Sequence, residues 1–246
     1  MKTLDAVWEK RNLGVDTQEV TVEEQDSVET VKKTLNSLTA EYQVVKAPCG
    51  KIEIMWAIED SGFRYIETSI RVVYDLNRLE IPPQYKRIND AVDYAIMNEE
   101  DVEQMFEQIQ KGMFFTDRVA LDPFFSVAHA SNRYCGWLQD EIKKGTKLYK
   151  YIYKGKSIGF FSLKQINENT YYPFLAGIYP EYKNSPLGSV YLFKPLVEAK
   201  KQGGRFVSTY ISTNNSQAVR MHADYGFLFK ETQNVYVKHG GQNVKE

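Results

Sequence analysis

The sequence has little of several features that would assign a protein class at once. Its two cysteines, Cys49 and Cys135, lie far apart and form no CxxC pair, so we expect neither a disulfide framework nor a zinc site. No apolar stretch approaches the roughly 20 residues that span a bilayer, and the N-terminus lacks the apolar core of a signal peptide. These absences predict a cytoplasmic protein without a membrane partner.

An excess of charge of one sign is also missing. The 31 basic and 32 acidic residues give a formal net charge of -1, without the positive field that nucleic-acid binding usually needs. Hydrophobic residues at 43% and charged residues at 26% predict a packed globular core. The many aromatic residues either fill cores and strands or form walls around a sugar or another ring-bearing ligand. Both interpretations stay open.

A pair of prolines divides the chain. Because Pro82 and Pro83 oppose both a helix and a central strand, we place a linker at 81–86. It separates an N-terminal α/β domain over 1–80 from a second domain over 87–240. The polar residues 241–246 are expected to be a disordered tail.

Hydrophobic spacing and capping residues predict the elements on both sides of this linker. The predicted helices span 28–38, 51–61, 99–109, 127–143, 187–202 and 216–224. The predicted strands span 42–46, 63–76, 147–153, 157–166, 170–179, 205–212 and 227–237. Together they predict an α/β (α+β) fold with a mixed sheet.

One segment near the linker resembles one near the end of the chain. Asp60–Thr68 and Asp224–Thr232 agree in type at six positions, and both read as a helix, a Gly-Phe pair and a strand. A Gly-Phe pair after a helix is a common stop, so coincidence is one explanation. The other is that the N-terminal unit is a partial copy of the later fold.

The segment from Ile178 to Gly188 lies between a predicted strand and a predicted helix. Such a loop presents unpaired backbone N–H groups at the positive end of the helix dipole, which suits a pyrophosphate. Many strand–helix turns share this property, but here the run Asn215–Phe227 follows after one helix and one strand. That combination resembles the GNAT superfamily of N-acyltransferases. The matching residues are Ile178, Pro180, Tyr182, Gly188, Asn215, Ala218, Gly226 and Phe227.

This resemblance implies a GNAT fold, a central mixed sheet flanked by helices, with acetyl-CoA as co-substrate and no metal. Backbone groups of Ala176 and Ile178 would hold pantetheine where the strand splays from its neighbour at 205–212. Asn215 would contact the pantetheine arm, cap the following helix, or both. The residues assigned to the pyrophosphate loop are Lys183, Asn184, Ser185, Leu187, Gly188 and Ser189.

The sequence departs from the family pattern at two positions. Pro186 replaces the first loop glycine and removes one N–H that could bind a phosphate. His222 stands where the family often has a tyrosine that protonates the departing thiolate, so His222 is the candidate catalytic acid. Alternatively His222 packs in a helix face while Tyr225, Tyr210 or water acts. With no carboxylate between residues 170 and 178, the general base is expected to be a water chain or to be unnecessary.

A looser resemblance covers most of the chain. Trp8, a Leu-Gly-Val run at 13–15 and the Gly-Phe pair at 62–63 are similar to amino-sugar N-acetyltransferases related to dTDP-fucosamine acetyltransferase. By this resemblance Asp117, Arg118 and Phe125 would bind the acceptor. Alternatively Phe125 packs the core and Arg118 pairs with Asp117 at the surface.

The expected activity is transfer of an acetyl group to a primary amine, with a nucleotide-linked amino sugar as the leading small-molecule acceptor. The alternative is a catalytically inactive GNAT-fold module that binds CoA or regulates. A homodimer is compatible with either function.

Overall fold

The computed structural model describes residues 1–240, so the predicted tail at 241–246 lies outside the described residues. The strands are β1 Lys2–Asp5, β2 Thr17–Thr21, β3 Tyr42–Pro48, β4 Arg64–Asp75, β5 Asp93–Ile96, β6 Lys147–Tyr153, β7 Lys156–Asn167, β8 Thr170–Tyr172, β9 Ala176–Ile178, β10 Phe206–Ser212 and β11 Leu228–His239. The helices are α1 Val7–Leu13, α2 Val28–Asn36, α3 Ile52–Asp60, α4 Pro83–Asp90, α5 Glu99–Gln110, α6 Arg118–Leu121, α7 Val127–Lys143, α8 Pro180–Lys183, α9 Phe193–Lys201 and α10 Ser216–Asp224. No helix over residues 1–240 is long and apolar enough to cross a bilayer.

Local capping signals place several helices where the sequence predicts them. The Asn98 side chain accepts from the Asp101 N–H at 2.9 Å, and the Asp101 carboxylate accepts from the Asn98 N–H at 3.0 Å. This reciprocal pair satisfies two N–H groups that the first turn of α5 leaves free. At the start of α2 the Ser27 hydroxyl accepts from the Thr30 N–H at 3.2 Å, a single capping bond. These two predicted helix starts are confirmed.

The expectation that Pro82 and Pro83 oppose a helix at 81–86 is wrong, because α4 begins at Pro83. The division into two domains at this place stays a prediction. A proline at the first helical position costs no hydrogen bond, since that N–H has no partner within the helix. α4 packs against the end of α10. The Tyr85 ring stacks on Tyr225 of the α10 end at 5.2 Å, and Asn89 donates to the Tyr225 hydroxyl at 3.1 Å.

Two further predictions need correction. The strand predicted over 170–179 is two strands, β8 and β9, because Pro173 lies between them and cannot donate to a ladder. The helix predicted over 187–202 starts only at Phe193, behind a 3₁₀ turn over Pro186–Ser189. The pattern also missed β1, α1, β2, β5, α6 and α8.

Over residues 1–240 the strands form one mixed sheet, in the order β1-β2-β3-β11-β4-β10-β8-β7-β6-β5, with β9 paired to β7. When β2, β3 and β4 are matched to β8, β10 and β11, the order β2-β3-β11-β4-β10-β8 reads the same from either end. β2, β3 and β4 alternate with α2 and α3, as β8/β9, β10 and β11 alternate with α9 and α10. The last strand of each series pairs antiparallel with the middle strand of the other. The sequence boundary near residue 80 is therefore not a boundary in the sheet.

Helices cover both faces of this sheet. On one face, α5, α6, α7 and α1 pack over β6, β7, β3 and β11. On the other face, α2 and α3 pack over the N-terminal strands, and α9 and α10 pack over the C-terminal strands. Alternation along β3 shows the division, because Val44 faces α6 and α7 whereas Val45 faces α2 and α3.

Candidate functional site

A gap opens in the sheet where β9 leaves β10. β8 pairs with β10 in parallel at two positions only, Thr170 with Phe206 and Tyr171 with Val207. After Pro173 the chain turns away, and β9 pairs with β7 instead. The expected splay is confirmed. A cavity of about 1220 Å³ occupies the gap and extends under α6 and α7.

The backbone of β9 faces this gap with every second residue. Leu175 accepts from the Ser162 N–H, and the Tyr179 N–H donates to Ile158, both at 2.9 Å. Because backbone groups alternate between the two edges of a strand, those of Ala176 and Ile178 point away from β7 and into the gap. Both residues line the cavity, as their assigned role in pantetheine binding requires.

The loop assigned to pyrophosphate is largely satisfied by its own hydrogen bonds. The Leu187 N–H donates to the Ser185 hydroxyl at 3.2 Å, and the Gly188 N–H donates to the Ser185 carbonyl at 2.9 Å. Ser189 uses its hydroxyl on the Pro186 carbonyl. Of the six predicted loop residues, Lys183 and Gly188 line the cavity. Phosphate binding by Leu187 and Gly188 would exchange existing bonds, and it stays a prediction.

Lys183 points towards the cavity rather than along the loop. Its ammonium donates to the Met113 carbonyl at 2.5 Å and lies 5.4 Å from the centre of the Phe115 ring. Burial lowers the pKa of Lys183. Met113 also lies close to Gly177, where an added Cβ would come within 2.7 Å of the Met113 methyl. Lys183 therefore helps to hold the segment after α5 against β9.

Asn215 and His222 both hydrogen-bond to the backbone of one residue of α10, Ala218. The Asn215 side chain accepts from the Ala218 N–H at 3.0 Å, so it caps the helix as one of the alternatives predicted. The Ala218 carbonyl accepts from His222 Nδ1 at 2.8 Å. Because a carbonyl can only accept, the proton of a neutral His222 is on Nδ1, and Nε2 is an acceptor. Asn215, Ala218 and His222 all line the cavity.

His222 is buried, and this changes its expected protonation. Burial lowers its pKa to about 4. The ring packs against Phe227 at 4.6 Å, and only 3% of the residue is exposed to solvent. At pH 7 about one molecule in 10³ would carry the imidazolium that an acid needs. The acid role of His222 stays a prediction without support from its electrostatics.

Tyr191 is a second proton donor at the same place. Its ring lies 6.4 Å from that of His222 and lines the cavity. Burial raises the pKa of Tyr191, so its hydroxyl keeps the proton throughout the physiological range. Sequence analysis missed Tyr191 because it lies in irregular chain between a 3₁₀ turn and α9, where no pattern marks it.

Asp117 and Arg118 belong to a buried charge network. Asp117 caps α6 and pairs with Arg133 at 2.7 Å. Arg118 contacts Glu19, and it lies 3.4 Å from Glu9. The predicted alternative, a surface pair of Arg118 with Asp117, is therefore wrong. Asp117, Arg118, Arg133 and Glu19 line the cavity, whereas Glu9 lies behind them.

Phe125 does not reach the cavity. It packs edge-on against Tyr42 at 5.0 Å, in the cluster that joins α7 to β3 and β11. Of the three residues assigned to the acceptor, Phe125 thus takes the core position that the sequence left as its alternative. The aromatic residues that line the cavity include Phe114, Phe115, Tyr134, Trp137, Tyr172 and Phe174.

The N-terminal half supplies the floor of this cavity. Across the sheet, Thr21 of β2 lies beside Lys46 of β3, Lys46 beside Val235 of β11, and Val235 beside Glu67 of β4. All four line the cavity under α6 and α7. The site residues predicted from the sequence all lie between Asp117 and His222, so Glu67 was missed. Polar residues at alternate positions of β4 indicate a polar face of this strand. Only the neighbouring strands show that this face lines the cavity.

Comparison with known proteins identifies the fold. No protein-family model matches the chain, and no curated protein matches it in sequence. A functionally unknown conserved protein from Staphylococcus epidermidis superposes with a TM-score of 0.62 at 13% identity, covering 91% of this chain and 84% of its own. The GCN5-related N-acetyltransferase from Sphaerobacter thermophilus gives 0.61 at 12%, covering 97% and 75%. That from Kribbella flavida gives 0.54 at 12%, covering 93% and 83%. At these identities the likeness shows the fold alone, and it confirms the GNAT fold.

Proposed function

We propose that this protein transfers an acetyl group from acetyl-CoA to the primary amine of a small molecule. The observation that carries the proposal is the gap between β9 and β10. Ala176 and Ile178 direct their N–H and C=O groups into it, as a strand edge does towards an added strand. The two amides of a pantetheine arm can take that place. The cavity, at about 1220 Å³, exceeds the roughly 300–1,000 Å³ of a single small-molecule site, which suits two substrates.

In this reaction the amine nitrogen attacks the thioester carbonyl carbon, the C–S bond breaks, and the thiolate leaves. The ammonium must first lose a proton, and the thiolate gains one. An N–H of β9 that points into the gap is a donor for the carbonyl oxygen as negative charge develops on it. Tyr191 and His222 line the same region. At pH 7 the Tyr191 hydroxyl keeps its proton, whereas the one proton of neutral His222 is on Nδ1 and is donated to the Ala218 carbonyl. We assign Tyr191 as the donor to the thiolate.

The acceptor that we propose is a nucleotide-linked amino sugar. Support comes from one end of the cavity, where the aromatic residues Tyr134 and Trp137 line it together with the polar Lys46 and Glu67. A sugar ring has apolar faces and a polar edge, and this combination of walls and floor suits both. The resemblance through Trp8 and Asp117 favours the same acceptor, and Trp8 also lines the cavity.

Titration calorimetry with acetyl-CoA, followed by a free-thiol release assay, tests the proposal. The acceptor panel contains dTDP- and UDP-linked amino sugars, glucosamine, lysine and spermidine. We expect binding of acetyl-CoA and thiol release that depends on one amine class, with the nucleotide-linked sugars leading. Binding without release on any amine would favour a GNAT-fold module that has lost turnover. A protein that binds no acetyl-CoA would contradict the acetyltransferase function.

A further inference from the structure

Five carboxylates line the cavity over the described residues, and they differ in one property. Four of them are held in ion pairs. Glu19 pairs with Lys46 at 2.8 Å, Asp117 with Arg133 at 2.7 Å, Asp140 with Arg11 at 2.8 Å, and Glu141 with Lys164 at 2.9 Å. Within residues 1–240 the fifth, Glu67, has no ion pair, although only 9% of it is exposed. An unpaired carboxylate buried at a cavity wall is costly to the fold, so it calls for a functional reason.

Glu67 lies where the sheet of the N-terminal half meets the gap. It is on β4, the strand inserted between β11 and β10. The next residue, Thr68, accepts from the Thr213 N–H at 2.9 Å, directly after β10 ends at Ser212. Val235 of β11 lies on its other side. Glu67 therefore lines the cavity next to the end of β10, the strand that borders the gap.

The groups that face Glu67 act on its pKa in opposite directions. Burial raises its pKa, and Asp117 adds to the rise. Ser212 of β10 and the guanidinium groups of Arg118 and Arg133, from α6 and α7, oppose it. A carboxylate with a raised pKa accepts a proton more readily near neutral pH than one fixed by an arginine.

We propose that Glu67 is the general base of the acetyl transfer, and this rests on the function proposed above. A proton passes from the acceptor ammonium to a carboxylate oxygen of Glu67, and the freed lone pair of the nitrogen attacks the thioester carbon. The C–S bond breaks and the thiolate takes a proton from its donor. Glu67 then releases its proton to solvent. The N-terminal half thus supplies a reacting group to the CoA-binding half.

Glu67→Gln tests this proposal through the pH dependence of kcat. General bases contribute about 10²–10⁴-fold, so we expect kcat to fall by about that factor at pH 7. The acid limb that Glu67 sets in the wild-type profile should be replaced by a rise at higher pH, where the acceptor amine deprotonates in solution. Glu231→Gln is the matched control, because Glu231 is a carboxylate on the adjacent strand β11 and its side chain is 65% exposed. It should keep the wild-type profile.

Glu67→Asp covers the case in which Glu67→Gln does not fold. It keeps the carboxylate and withdraws it by about 1 Å, a misplacement that can cost about 10²-fold in rate. We expect a lower kcat with the acid limb retained. Wild-type kcat in either variant, or an acid limb of Glu67→Gln at the same pH as in the wild type, overturns the proposal.

Failure of the proposed function has a different signature. If the wild-type protein binds acetyl-CoA and releases no thiol with any amine, the acetyltransferase function is refuted and the role of Glu67 falls with it. If the wild-type protein turns over and Glu67→Gln does so equally well, only the role of Glu67 is refuted. Calorimetry with acetyl-CoA on each variant shows that the cofactor gap is intact.

Discussion

We expect Glu9→Gln to destabilise the protein more than any change to a surface charge. Glu9 lies on α1 and is fully buried. One carboxylate oxygen accepts from Arg133 Nε at 2.6 Å and lies 3.4 Å from the nearest nitrogen of Arg118. Arg133 is on α7 and Arg118 on α6, so Glu9 joins the N-terminal half to the helices that roof the cavity.

The expected loss of unfolding free energy depends on which carboxylate partners each guanidinium keeps. Removal of one partner from a buried ion pair costs about 3–5 kcal/mol, because the other charge stays buried without compensation. In Glu9→Gln, Arg133 keeps Asp117 at 2.7 Å, and Arg118 keeps Glu19. Neither cation is left alone, so the loss should lie near the lower end, at about 3 kcal/mol.

Urea denaturation followed by circular dichroism measures this loss of unfolding free energy. Lys10→Gln is the matched control on the same helix, because Lys10 pairs with Asp16 at the surface with side chains 53% and 66% exposed. An exposed pair contributes about 0–1 kcal/mol. A Glu9→Gln protein that unfolds within about 1 kcal/mol of the wild type would refute the reasoning, since that is the effect of an exposed pair.

Two further changes test the site. His222 has a pKa of about 4 in the fold against 6.5 for an exposed histidine. Between these values the unfolded state binds a proton that the folded state does not. The free energy of unfolding is therefore highest above pH 6.5, and up to about 3 kcal/mol of it is lost as the pH falls to 4. His222→Phe should flatten this part of the curve of unfolding free energy against pH, and an unchanged curve would contradict the buried neutral state. The variant should keep kcat within about tenfold, because a neutral imidazole is a weak general acid. Thr209→Tyr places a ring in the gap, where Thr209 donates to the Pro173 carbonyl at 3.4 Å, and should weaken acetyl-CoA binding in calorimetry by at least about tenfold, a loss of roughly 1.4 kcal/mol. Thr209→Val is its control and should bind nearly as the wild type does, whereas equal affinity in Thr209→Tyr would exclude the gap as the cofactor site.

The parts of the fold that the sequence predicts well depend on local signals. Asn98 caps α5 through residues three positions away, and α7 has the predicted bounds, because capping and helical spacing act within a few turns. The two errors at prolines arose because the effect of a proline depends on its position within an element. Pro83 is tolerated at the start of a helix, and Pro173 breaks a strand that its neighbours favour.

The candidate site was predicted where the chain carries a family pattern and missed where it depends on distant contacts. Ala176, Ile178, Asn215 and His222 do line one cavity. The partners of Arg118 come from residues about 100 positions earlier, and nothing near Arg118 in the sequence indicates them. The burial of His222, which decides its charge, likewise depends on packing that one helix cannot reveal.

The insertion of β4 between β10 and β11 has a consequence for how the protein is made. On the ribosome β4 emerges long before its two partners, which are the strands ending at Ser212 and His239. At about 5–20 residues per second, the wait for β11 is on the order of ten seconds. During that time both edges of a long strand are unpaired, and such edges are prone to pair with other chains. Synthesis of this protein therefore has an aggregation-sensitive interval that ends only when the last strand is complete, and chaperone depletion should reduce its soluble yield.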